Sequence, residues 1–220
     1  MNIEQARYNM IEQQIRPWNV LDPHVLELLG AVKREDFVPL AHKALAFVDM
    51  EIPLPGGQVL LAPKVEARLV QEVNAQRHEK VLQIGAGSGY VTALLAHRAQ
   101  RVIALESSSE LVQLARSNLQ KSGVFNAEVR QADGAAGAAS DQPDQPFDAI
   151  VLVGSVAQVP ASLLQQLKVG GRLVAIVGEE PMMYATVVTR TTESTFDSQQ
   201  RWDTVAARLQ GFVEPSRFKF

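Results

Sequence analysis

The stretch that decides the fold is Val81-Leu82-Gln83-Ile84-Gly85-Ala86-Gly87-Ser88-Gly89-Tyr90, a short apolar run that meets three glycines, with an amphipathic segment over 90–97 following at once. That order predicts a strand, a tight turn and a helix start. Glycine is needed where backbone approaches a ligand closely or takes a positive φ. A helix opening at the turn aims its free N–H groups at whatever sits above it. The spacing narrows the ligand. A dinucleotide fingerprint needs Gly-x-Gly-x-x-Gly, and the place for its last glycine, counted from Gly85 and Gly87, is taken by Tyr90. The chain reads Gly-x-Gly-x-Gly instead. Such a turn alone often does no more than reverse the chain, so its meaning rests on its neighbours.

Outward from that turn the chain alternates. Strands are predicted at 80–84, at Val102-Ile103-Ala104-Leu105, at about 127–130, at Phe147-Asp148-Ala149-Ile150-Val151-Leu152-Val153, and at 172–177 after Gly170-Gly171. Helices fall between them, one capped by a residue among Ser107, Ser108 and Ser109 with Leu111, Leu114, Ala115 and Leu119 inward, and another at 160–168. Apolar strands alternating with helices imply an α/β, doubly wound, mostly parallel sheet covered on both faces. After Gly178 the Val- and Thr-rich stretch 184–190 predicts two further strands, an antiparallel pair at the sheet edge near the C-terminus.

Upstream, apolar residues at helical spacing (Ile3, Met10, Ile11, Ile15) predict a helix from 3 to about 16, ended by Pro17. A second helix is expected from about Asp22, with Pro23 in its first turn. The proline- and glycine-rich residues 34–63 predict a long ordered loop or lid with one short helix at 40–46, and a helix over 64–76 leads into the glycine strand. Helices and loop thus precede residue 79, and the alternating pattern follows it.

Composition bounds the function. The 220 residues are 46% apolar and 20% charged with a net charge of -3, which suits a soluble globular protein and argues against a generic polyanion binder such as a nucleic-acid domain. There is no cysteine, so disulfides and thiolate chemistry are excluded. The four histidines, at 24, 42, 78 and 97, show no metal-ligand spacing and read as surface or helix-end residues; no metal site is expected. No apolar run is long enough to span a bilayer, and the start Met1-Asn2-Ile3-Glu4-Gln5 does not read as a signal peptide, so the expectation is a cytoplasmic monomer with no membrane or nucleic-acid partner.

Two acidic residues sharpen the glycine turn. Glu106 ends the second core strand, 21 positions after Gly85, where doubly wound sheets use a carboxylate to accept from the ribose hydroxyls of an adenosine. The alternative is a solvated glutamate at a helix start. Asp133-Gly134 follows the third strand, where an aspartate can accept from an adenine amino group and the glycine keeps the turn narrow; an ordinary turn pair is the alternative. All three elements fall at C-terminal strand ends, where open α/β sheets bind ligands. The Gly-x-Gly-x-Gly turn resembles the first motif of class I S-adenosylmethionine methyltransferases, with a Rossmann-like core.

Longer matches narrow this. Met10-Ile11-Glu12-Gln13-Gln14-Ile15-Arg16, Val32-Lys33-Arg34-Glu35-Asp36-Phe37-Val38-Pro39, Pro53-Leu54-Pro55 with Gly57-Gln58, the glycine turn, Ala132-Asp133-Gly134 and Gln166-Leu167-Lys168-Val169-Gly170-Gly171-Arg172-Leu173-Val174 together resemble the protein-L-isoaspartate O-methyltransferase family. The resemblance implies methyl transfer from S-adenosylmethionine, leaving S-adenosylhomocysteine, to the free carboxylate of isoaspartyl residues in damaged proteins. It also implies an N-terminal helical cap with its acceptor loop, 1–78, packed on an S-adenosylmethionine-binding core, 79–220, and a cofactor site of Gln83, Gly85, Ala86, Gly87, Ser88, Gly89, Glu106, Asp133 and Gly134. The family's acid before the first glycine is Gln83 here, which keeps hydrogen bonding but loses charge.

The chain departs from the family at Gly57-Gln58-Val59-Leu60-Leu61-Ala62-Pro63, where the family usually reads Gly-Gln-Thr-Ile-Ser-Gln-Pro. The serine that holds the acceptor carboxylate in the family is Leu61, and Val59 and Ala62 replace threonine and glutamine. An isoaspartyl carboxylate is ionised at neutral pH, so in-line transfer needs no general base and the hydroxyl contributes orientation. Losing one such bond costs roughly 1.5–3 kcal/mol, about ten- to a hundredfold in rate. Three readings stay open at this point: an isoaspartyl methyltransferase whose loop backbone does the steering, a paralogue that binds the cofactor but is inactive on isoaspartate, and a methyltransferase with a more apolar acceptor.

Overall fold

The structure, a computed structural model, describes residues 2–138 and 145–214; residues 215–220 of the expected core lie outside the described residues. The core strands are those the apolar runs predict. The turn strand is β3, Lys80–Ile84, counted after a short hairpin of β1 (Ile52–Pro53) and β2 (Val59–Leu60). It is followed by β4 (Arg101–Glu106), β5 (Ala127–Gln131), β6 (Phe147–Val156), β7 (Leu167–Glu179), β8 (Met182–Arg190) and β9 (Phe196–Asp203). These seven form one sheet in the order β5-β4-β3-β6-β7-β8-β9. From β5 to β7 neighbours are parallel, and β8 and β9 extend the sheet antiparallel at its edge. The chain winds one way from β3 to β5 and then returns to β6 on the other side of β3. The switch point therefore lies between β3 and β6.

Continuous apolar runs are needed because both faces are buried. Successive residues alternate between faces, so Val81, Val102, Ala104 and Val151 join one core cluster and Leu82, Ile103, Leu105 and Ile150 the other. The first face carries α3 (Pro63–Val73), α4 (Tyr90–Arg98) and α5 (Ser109–Lys121), together with α2 (Pro23–Ala31) and the turn that follows the N-terminal α1 (Ile3–Asn9). The second face meets α6 (Ala161–Leu164) and the segment after β9, through Leu209 and Phe212. Asp22 caps α2 and Ser108 caps α5, each side chain accepting a backbone N–H of the first turn.

Several expectations change. The predicted first helix splits: α1 runs into a π-helical turn, Met10–Ile15, and a 3-10 turn, Arg16–Trp18. The wider winding brings Met10 and Ile15, five apart and both fully buried, onto one inward face. Residues 34–63 are not one long loop. They hold 3-10 turns at Arg34–Asp36 and Leu40–Leu45 and the β1–β2 hairpin, whose turn uses the positive φ of Gly56 and Gly57. The helix expected at 160–168 shrinks to α6, because Leu167 already pairs with Phe147 and β7 passes through the positive-φ Gly170.

Buried charge ties the N-terminal part to the core. Arg34 and Glu66 are both fully buried, with Arg34 Nε donating to Glu66 Oε2 at 3.1 Å. Arg34 also donates to the carbonyls of Ala46 (2.8 Å) and Leu61 (2.7 Å). It lies 5.8 Å from the Tyr90 ring centroid. A second pair, Arg7–Glu35, packs beside it. On the far side, Arg172 of β7 donates both Nη groups to Glu79 (2.9 and 2.8 Å) and reaches the carbonyls of Val73 and Asn74, closing the C-terminus of α3 against the start of β3.

Removing one partner of a buried pair leaves the other charge uncompensated, at a cost of about 3–5 kcal/mol. Arg34→Ala is therefore expected to lower stability by that order, and Arg172→Ala by about 1.5–3 kcal/mol from the loss of charge-assisted hydrogen bonds. Denaturant midpoints compared at constant slope check both.

Candidate functional site

Parallel pairing of β3 with β4, from Lys80–Arg101 to Ile84–Leu105, ends one residue before Glu106. This places the carboxylate beside the glycine turn. Glu106 is 3% exposed, and its Oε2 accepts the Gly87 N–H at 3.0 Å. Its Oε1 accepts the Ser108 N–H at 3.1 Å and the Gln58 side-chain amide at 3.2 Å. Glu106 is thus no solvated residue: it clamps the turn, the start of α5 and the hairpin together.

All three turn glycines have positive φ: 82° at Gly85, 53° at Gly87 and 91° at Gly89. A Cβ at Gly89 would press on the Ala115 carbonyl at 3.2 Å, so this glycine is needed for the approach of α4 to α5. Ala86 supplies the carbonyl that accepts the Gly89 N–H, and the Ser88 carbonyl accepts from Asn118 at 2.9 Å. Gln83 is fully buried beneath the turn; its amide N–H donates to the Gly85 carbonyl at 2.9 Å and its Oε1 has no partner among the described residues.

Two small cavities flank Gly85. The first lies over the tips of β3 and β4, between Ile84, Leu105, Glu106, Ser107 and Gly134 on one side and Gln58, Leu209, Gln210 and Phe212 on the other. Its volume is ≈ 20 Å³, enough for about one water. The second, also ≈ 20 Å³, lies toward the hairpin and is lined by residues 58–61, Glu66, the turn, Tyr90, Val91 and Val153. Gln58 and Gly85 belong to both, so the two form halves of one closed cleft.

The hairpin residues sit differently from one another. Gln58, Val59 and Ala62 are half-buried, whereas Leu60 and Leu61 are core residues, Leu61 with 2% exposure and its carbonyl taken by Arg34. Asp133 is exposed and its Oδ1 accepts the Ala135 N–H at 3.0 Å, as a turn residue does. Asp133 does not line the cavity over β3 and β4, whereas Gly134 does, close enough to Ile84 that a Cβ there would collide. His24, His78 and His97 are exposed as expected, and no metal-holding cluster occurs among the described residues. Nor is any described helix long and apolar enough to cross a membrane.

The structure adds residues that pattern reading passed over. Glu66 lies on the inward stripe of α3 with Leu69, Val70 and Val73, so a charge at apolar spacing was its signal. Burial pushes its carboxyl up to about 7, outweighing the adjacent Arg34. The same burial raises the Tyr90 hydroxyl. Leu209, Gln210 and Phe212 carry no sequence signal; a long chain return alone brings them onto the turn.

The family model for protein-L-isoaspartate(D-aspartate) O-methyltransferase matches residues 5–206. The chain is 41% identical over 180 residues to protein-L-isoaspartate O-methyltransferase 1 of Syntrophobacter fumaroxidans, covering 81% of this chain and 82% of that one. It is 35% identical over 212 residues to protein-L-isoaspartate O-methyltransferase 2 of Marinobacter nauticus, covering 96% and 95%. In fold it resembles a Plasmodium falciparum protein-L-isoaspartate O-methyltransferase solved with S-adenosyl-L-homocysteine, at a TM-score of 0.76 and 18% identity over 96% of this chain and 99% of that one. The chain belongs to the protein-L-isoaspartate(D-aspartate) O-methyltransferase family and is a methyltransferase that uses S-adenosylmethionine.

Proposed function

We propose that the protein methylates the carboxylate of isoaspartyl residues in damaged proteins. The observation that carries this is the Gly87–Glu106 clamp at the tips of β3 and β4 in a chain matched to the family over 5–206. In this reading the backbone of Gly85, Ala86, Gly87, Ser88 and Gly89 lies along the cofactor, and Glu106 accepts from its ribose. The Gln58 amide now bonded to Glu106 Oε1 marks where a ribose hydroxyl would donate. Asp133 and Gly134 border the adenine, Asp133 through its second oxygen. Gln83 supports the turn from below. The residues fit the cofactor in their donors and acceptors. A nucleoside needs far more than ≈ 20 Å³, so seating it moves Gln58 and the segment 209–212 back from the cleft.

The bound cofactor supplies an activated methyl group on a sulfonium. This chain's residues hold the acceptor in line with it and keep water away. A negative protein with no basic surplus suits a peptide acceptor rather than a nucleic acid. A second reading, transfer to a different acceptor or cofactor binding without isoaspartyl transfer, draws on Leu61. Leu61 is buried yet lines the cavity beside the hairpin, and its side chain brings no hydroxyl there. Tritiated methyl transfer to an isoaspartyl peptide, beside its aspartyl twin, separates the readings.

Two outcomes are expected. Glu106→Ala should weaken S-adenosylhomocysteine binding about ten- to a hundredfold, the equivalent of roughly 1.5–3 kcal/mol for a lost charge-assisted bond; calorimetry measures it, and unchanged affinity would remove Glu106 from the site. Isoaspartyl transfer by the native chain should be slow, and Leu61→Ser should raise the transfer rate with little change in cofactor affinity, melting temperature being followed because a core leucine is lost. If the native protein is as fast as the serine variant, backbone groups orient the carboxylate and the hydroxyl is dispensable.

A further inference from the structure

The cavity beside the hairpin holds two polar atoms with nothing to bond. Glu66 Oε1 and the Tyr90 hydroxyl are buried and have no partner among the described residues, and both residues line this cavity against Gly85, Ala86 and Gly87. A buried oxygen left unsatisfied costs about 1–3 kcal/mol, more when charged, so such an atom facing a water-sized space calls for an occupant. An ionised carboxylate oxygen accepts only, and the other oxygen of Glu66 is already held by Arg34 at 3.1 Å, so the occupant that pairs with ionised Glu66 donates.

The anion on the glycine turn, Glu106, is already engaged by the Gly87 and Ser108 N–H groups and the Gln58 amide, and it borders the cavity over β3 and β4 rather than the one beside the hairpin. The side chain beneath the turn is the neutral Gln83, and Gln83 directs its N–H, not its oxygen, at the Gly85 carbonyl. The nucleoside half of the cleft lies over β3 and β4 on the other side of Gly85. The amino-acid half of an adenosyl ligand, whose ammonium is about the size of a water, therefore falls in the cavity that Glu66 faces.

We propose that Glu66 is the residue that binds the ligand's ammonium group, supplying from α3 the negative charge that the chain lacks at Gln83. This rests on reading the cleft as the S-adenosylmethionine site. The groups facing Glu66 are Arg34, from the turn at Arg34–Asp36, and Tyr90, from α4; the Arg7–Glu35 pair acts on Tyr90 from further off. With its carboxyl pushed up to about 7, Glu66 is mostly protonated at pH 6 when the cleft is empty. An ammonium beside it favours the carboxylate, so binding releases the Glu66 proton to solvent at pH 6 and releases none at pH 8.

The test compares S-adenosylhomocysteine with 5′-methylthioadenosine, which has the same nucleoside and thioether but no ammonium. Titration calorimetry of the unmodified protein, in buffers of differing ionisation enthalpy, is expected to show proton release on binding S-adenosylhomocysteine at pH 6, and affinity about tenfold weaker there than at pH 8. Methylthioadenosine is expected to show neither effect. Glu66→Gln is expected to weaken S-adenosylhomocysteine at pH 8 by tenfold or more, abolish its pH dependence and leave methylthioadenosine unchanged. Should Glu66→Gln fail to fold, the wild-type proton release alone decides. Binding of both compounds with equal proton release, or equal loss of both in Glu66→Gln, overturns the assignment of Glu66. Binding of neither overturns the cofactor reading beneath it.

Discussion

The register between β3 and β4 governs the site. Five successive parallel pairs bring Ile84 opposite Leu105, and the next residue on each strand is Gly85 and Glu106. A strand shifted by one residue would turn every side chain to the other face, driving Glu106 toward the apolar face that Leu82 and Ile150 fill and away from the Gly87 N–H. With the observed register the carboxylate meets the Gly87 N–H at 3.0 Å, and the turn keeps its positive φ angles because that amide has a partner. Apolar burial on both faces enforces the register, since Leu82 and Val81 each have a separate core to fill.

The second constraint is buried charge. Arg34 binds Glu66 and the carbonyls of Ala46 and Leu61, so one guanidinium joins the N-terminal part, the hairpin and α3. A buried ion pair adds little net stability against an apolar substitute, yet it fixes where the Leu61 backbone runs. On that path the Leu61 carbonyl is taken by Arg34, and the buried Leu61 side chain borders the cavity beside the hairpin. The hairpin segment 58–61 borders the cleft, with Gln58 bonded to Glu106. The Gln58 amide thus joins the hairpin to the carboxylate that clamps the glycine turn.

Closure of the cleft follows from the chain's return after β9. Ser155 exchanges backbone bonds with Ala207 and Leu209 at 2.8 and 2.9 Å, which seats Leu209 against Gly85 and Gly154. Beyond it Gly211 passes Asp133 and Phe212 reaches Gly134. The polar turn is thus roofed by apolar side chains.

The sequence by itself determined the doubly wound sheet, the antiparallel edge, the glycine turn and the placement of Glu106. These rest on local and periodic signals: apolar runs, glycine spacing and a carboxylate at a strand end. It also carried the family match through its N-terminal motifs. Only the tertiary structure decided the hairpin within residues 34–63, the inward turn of Leu61, the pairing of Arg34 with Glu66 and the roof made by Leu209 and Phe212. Each joins residues far apart in the chain, and no periodicity records such contacts. Glu66 shows the divide most clearly: its helical spacing announced that it faces inward, but its partner and its free oxygen exist only once α3, the 34–36 turn and the glycine turn are packed together.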